Sequence, residues 1–205
     1  MKRSVMWCSR NRRCRYESYG TVVIADVPDE DAAQRLSDQF REVLGRTFTR
    51  RTHLPFPMRN PLDDTEIEID AGDSSVRVTL LVNGAVAAGT AAEVFTGMGA
   101  GRAVMCEDGD EWGVTVSGSR LTDGDAECVY RAYLPADDGA IDDQAAGRVV
   151  TGPTAATKLA ELFGTDPDPV RALDADPTPI TDGIGYIADP FLPWLHNLDL
   201  DWPEF

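Results

Sequence analysis

Residues 19–44 read YGTVVIADVPDEDAAQRLSDQFREVL, and this stretch decides the fold class. Its first nine residues are a short apolar run rich in β-branched side chains, bounded by Gly20 and Pro28, which predicts a buried strand. A helix should follow at once. Asp29 is placed to cap it, Glu30 and Asp31 put negative charge at its positive end, and Ala33, Leu36, Phe40, Val43 and Leu44 recur at helical spacing. Gly45 is the expected stop.

Downstream, residues 52–64 carry Pro55, Pro57 and Pro61 and read as a surface connection. Residues 66–70 alternate charged and apolar side chains with Ile67 and Ile69 on one face, turn chemistry follows around Gly72, and alternation resumes over 76–82. That is a hairpin. Residues 85–95 predict a second helix weakened by Gly89 and ended by Gly97, Gly99 and Gly101. Candidate strands at 103–106, 112–116 and 127–134, separated by Asp and Gly clusters, predict an antiparallel meander. The expected fold is therefore α+β, a mainly antiparallel sheet with two or three helices packed on one face, in the order of a ferredoxin-like βαββαβ unit extended by the meander.

A short strand at 148–150 leads to Pro153, a favoured first helical residue, and to a helix over 154–163 with Leu159, Leu162 and Phe163 as its core face. Residues 166–173 add a further turn or two, and Pro177, Pro179, Gly183, Gly185, Pro190 and Pro193 are expected to keep the rest irregular. Three regions result: a basic arm at 1–16, an α+β domain at 17–164, and a Pro- and Asp-rich extension at 165–205 that packs on the domain or on a partner.

The chain has 205 residues, 42% of them hydrophobic, enough for a substantial core. With 35 acidic against 19 basic residues its formal charge is -16, a field that repels phosphate backbones and anionic lipid and attracts basic partners. Nucleic acid is thus not expected on the acidic surface. The basic residues Lys2, Arg3, Arg10, Arg12, Arg13 and Arg15 crowd the opposite extreme of the charge range into the first sixteen positions. No secretory h-region and no bilayer-length apolar stretch is present, so a cytoplasmic protein without a membrane partner is expected, and the scarcity of Lys is of the kind a GC-rich bacterial genome produces.

Cys8, Cys14, Cys106 and Cys128 lack the close pairing of a zinc site and read as reduced thiols, so no metal and no cofactor is assigned. His53 and His196 sit in no catalytic motif, and HExxH, GxSxG and P-loop patterns are missing. Two surfaces are the candidates for partner binding. One is the loop acids Asp108, Asp110 and Glu111. The other is the tail FLPWLHNLDLDWPEF at 191–205, where Trp194, Asp199, Asp201 and Trp202 interleave large apolar and acidic side chains. The expected function is that of a non-enzymatic acidic binding protein, an inhibitor, immunity or antitoxin-like module that neutralises a basic protein. The alternatives are a carboxylate- and metal-dependent enzyme using Asp108, Asp110 and Asp125, and a self-assembling component, a homo-oligomer in which the basic arm of one copy meets an acidic face of another.

Overall fold

The computed structural model describes residues 20–51, 65–82, 94–109, 113–136, 146–184 and 188–203. Six strands pair throughout antiparallel into one sheet: β1 (Gly20–Val27), β2 (Thr65–Ala71), β3 (Val76–Val82), β4 (Gly101–Asp108), β5 (Val114–Leu121) and β6 (Ala126–Leu134), in the order β2-β3-β1-β4-β5-β6. The α+β class and the antiparallel sheet are those expected, and the first four strands lie in the order that a split βαβ unit produces, with β5 and β6 extending it as a meander.

Helix α1 (Glu30–Arg51) begins where the sequence places it, with the Ala32 amide donating to Asp29 Oδ1 at 2.7 Å. It does not stop at Gly45. One glycine costs a helix only about 1 kcal/mol, less than is needed to end a segment already anchored by the buried Leu36, Phe40 and Val43. The connection at 52–64 and most of the second helix lie outside the described residues, but Val94 and Phe95 end that segment in helical form and pack in the same cluster as α1. Gly97 and Gly99 follow with φ of 76° and 79°, the left-handed conformation that glycine adopts without penalty.

The helices cover both faces of the sheet, which corrects the expectation of one face. Val23, Ala25 and Val27 point into the α1 cluster, whereas Val22 and Ile24 point into a second cluster. That second cluster is built by α2 (Pro153–Phe163), α3 (Pro167–Ala175), α4 (Thr178–Thr181), α5 (Leu192–Asn197) and the tail. Burial on both faces is why β1 reads as a continuous apolar run without alternation.

Two expectations about the C-terminal third are also corrected. Residues 148–150 make a single bridge, Arg131 to Val150, with Val149 and Val150 largely exposed, and not a strand. The prolines expected to keep the tail irregular instead open short helices: Pro179 and Pro193 stand in the first turns of α4 and α5, where a missing N–H costs nothing. Among the described residues no helix is long and apolar enough to cross a membrane.

Candidate functional site

A row of charged residues crosses the whole sheet on the face of the C-terminal helices. Asp70 pairs with Arg77, Arg77 with Asp26, Asp26 with Arg102, Arg102 with Arg120, and Arg120 with Glu127 as cross-strand partners from β2 to β6. Asp26 is the buried centre of this row. It accepts from Arg77 Nε at 2.8 Å and Nη2 at 3.1 Å, and from Arg102 Nε at 2.7 Å. Burial alone would push its carboxyl up, but the hydrogen bonds and charges of Arg77 and Arg102 outweigh that and hold it below its ordinary value. Arg102 also donates from Nη1 to the Leu162 carbonyl at 3.3 Å and lies 4.7 Å from the Phe163 ring centroid, so it ties the sheet to α2.

At the end of this row, β2 is an edge of the sheet, and Glu66, Glu68 and Asp70 stand on it at alternate positions, all exposed. Period-two spacing places the three carboxylates on one face, the face that carries Asp26. Asp199 of the tail joins them. Arg77 is held above its ordinary value first by its hydrogen bond to Asp26, against desolvation, and then by the charges of Asp26, Asp199 and Asp70. Ile69, on the other face of the strand, is 42% exposed.

The residues singled out in the sequence are thus dispersed. Asp199 belongs to the acidic surface beside β2; Asp201 is exposed near the end of the described chain. Asp108 ends β4 half-buried, while Asp110 and Glu111 lie outside the described residues. Trp194 is only 1% exposed, packed at 4.9 Å from the Tyr130 ring, and Trp202 is half-buried and stacked on Phe191 at 5.7 Å. Asp125 is spent on its own turn, with Oδ1 accepting from the Ala126 amide at 2.8 Å and its carbonyl from Thr122. Among the described residues no three His, Cys, Asp or Glu side chains converge on a cation position.

Asp26 and Arg77 are each the lone charge inside an otherwise apolar strand, which is the signal in the sequence that finds them, whereas Arg102 shares β4 with Glu107 and Asp108 and carries no such mark. A second polar group lies on the α1 side of the sheet. There Arg131 Nη2 lies 3.7 Å from Glu107 Oε2, both side chains are buried, and Thr21, Thr115 and Ser117 are buried on the same face of neighbouring strands. Cys106 is enclosed in the C-terminal cluster, where burial and the neighbouring Glu107 charge push its thiol up and keep it a poor nucleophile.

Compared with known proteins, the chain matches no family model, no curated protein and no solved structure.

Proposed function

We propose that this chain is a cytoplasmic, non-enzymatic acidic binding protein that captures and neutralises a basic protein partner, as an inhibitor, immunity protein or antitoxin does. One observation carries the reading: Glu66, Glu68 and Asp70 stand exposed at two-residue intervals on the open edge strand β2, with Asp199 beside them. A charge of -16 accelerates encounter with a basic surface, and a concentrated rim of carboxylates then orients it. The surface is preorganised because Asp70 and Asp199 flank Arg77, which Asp26 fixes in place.

The test is a pull-down from native lysate at low ionic strength, eluted by a salt step, followed by association kinetics with the recovered protein. A single basic protein near stoichiometry, binding at a rate that falls as salt rises, is the expected result. A salt-independent rate, or recovery of nothing basic, would refute electrostatic capture.

A further inference from the structure

Among the described residues no strand pairs with the outer side of β2, although β2 presents seven residues of main chain there. An open edge of this kind takes up an extended segment, and its side chains select which one. On the face that carries Asp26, β2 offers Glu66, Glu68 and Asp70. Arg77 of β3 stands opposite Asp70, but Glu66 and Glu68 stand opposite Leu81 and Thr79, so β3 balances neither of those two charges. The complementary segment is in the chain itself. Residues 1–16 hold Lys2, Arg3, Arg10, Arg12, Arg13 and Arg15 with no acid among them; they lie outside the described residues and precede β1, which begins at Gly20.

Geometry connects the two. Both β1 and β2 run antiparallel to β3, with Thr21 and Thr65 each opposite Val82, so the arm enters the sheet at the end where β2 starts. The lane outside β2 lies three strand spacings from β1, about 14 Å, which about four extended residues span. That leaves residues 9–15, SRNRRCR, to run back along the seven residues of β2, antiparallel to it. Either phase of the side chains sets two arginines opposite the carboxylates: Arg10 and Arg12 against Asp70 and Glu68, or Arg13 and Arg15 against Glu68 and Glu66. A tether this short holds the arm near β2 at an effective concentration of about millimolar, which favours its own β2 over that of a second copy. We propose that the basic arm adds to the edge of β2 as a further, antiparallel strand of its own sheet. Only residues of this chain take part, so the inference stands whether or not a basic partner displaces the arm from the same edge.

Cys14 of the arm supplies the probe. In the full chain with Cys8→Ser and Cys128→Ser and the buried Cys106 kept, a second thiol is placed by Glu66→Cys or by Ile67→Cys, the positions that face Cys14 in the two phases. Pro135→Cys is the control, since it is exposed and follows β6 at the same end of the sheet on the other edge. Each variant is oxidised with glutathione disulfide, linked monomers are separated from linked dimers on non-reducing gels, and the disulfides are mapped by mass spectrometry. One of the two β2 positions is expected to link to Cys14 within one chain at least about tenfold faster than Pro135→Cys, because strand pairing holds the thiols near bonding distance. Arg10→Gln, Arg12→Gln, Arg13→Gln and Arg15→Gln together should bring the β2 and control rates within about twofold of each other. Equal rates at β2 and at Pro135→Cys with the native arm, linkage mainly between two chains, or a β2 preference that survives loss of the four arginines would each overturn the proposal.

Discussion

Arg102 Nε lies 2.7 Å from Asp26 Oδ2 while the same guanidinium rests 4.7 Å from the Phe163 ring centroid, so one side chain joins two strands and a helix. Removing the carboxylate charge leaves two guanidinium groups facing each other across β1. Breaking a buried ion pair commonly costs about 3–5 kcal/mol, but Arg77 and Arg102 keep 39% and 30% of their side-chain surface in water, which screens part of the loss. Asp26→Asn is expected to destabilise the fold by about 2 kcal/mol in urea unfolding. A change under about 0.5 kcal/mol would mean that the row is ornamental to stability.

The same carboxylate sets a pH dependence. Its folded pKa lies below the ordinary value of 3.8, so as pH falls the unfolded chain takes up the proton first. The stabilisation is therefore complete above 3.8 and drains away as pH drops through the lower, folded value. The urea-midpoint difference between wild type and Asp26→Asn should hold constant from about pH 7 to about pH 5 and shrink below about pH 3.8. A difference that stays constant down to about pH 2 would count against the assignment.

Two glycines make close approaches of different kinds. A Cβ at Gly101 would meet the Asp26 backbone carbonyl, which cannot yield without moving β1; a Cβ at Gly118 would meet only the Cδ1 end of Leu159. Gly101→Ala should cost about 3 kcal/mol and Gly118→Ala about 1–2 kcal/mol. Leu159→Val should recover part of the second loss and none of the first, a non-additivity read from a double-mutant cycle.

The burial of the tail makes its tryptophans unequal. Trp194→Ala empties a site that is 1% exposed and should cost about 3–5 kcal/mol, whereas Trp202→Ala removes a half-buried ring stacked on Phe191 and should cost about 1–2 kcal/mol. Equal melting temperatures for wild type and Trp194→Ala would contradict the packing of α5 against β6.

Charge reversal locates the partner surface. Glu66→Lys, Glu68→Lys and Asp70→Lys together should slow association with the basic partner at least about tenfold at low salt, and Asp199→Lys should add to the effect. Asp123→Lys with Asp125→Lys, at the β5–β6 turn, should change the rate by less than about twofold. An unchanged rate in the first variant and a loss in the second would move the surface to the meander turns.

Much of the sheet was legible because its determinants are local. The apolar run before Pro28, the Asp29 cap, the turn around Gly72 and the Asp and Gly clusters between β4, β5 and β6 each act within a few residues. The candidate site was less legible. Asp199 stood out in the tail, but Glu66 and Glu68 read only as the polar side of a hairpin, since nothing local says that β2 is an edge. Trp194 stood out for its size, yet its neighbour Tyr130 is 64 positions away and no short-range pattern links them.

The short helices α4 and α5 were not legible, but the sequence by itself determined the six strands of the sheet, the starts of α1 and α2, and the net negative charge. Hydrogen-bonding demands, side-chain periodicity and capping operate over one turn or one strand, so these follow from neighbours in the chain. Only the tertiary structure decided that Asp70, Arg77, Asp26 and Arg102 share one row, that helices cover both faces, and that Trp194 packs on Tyr130. Those facts depend on strand order and register, which are set when distant apolar faces are buried together, and a one-residue change of register would turn every charge in the row to the other face.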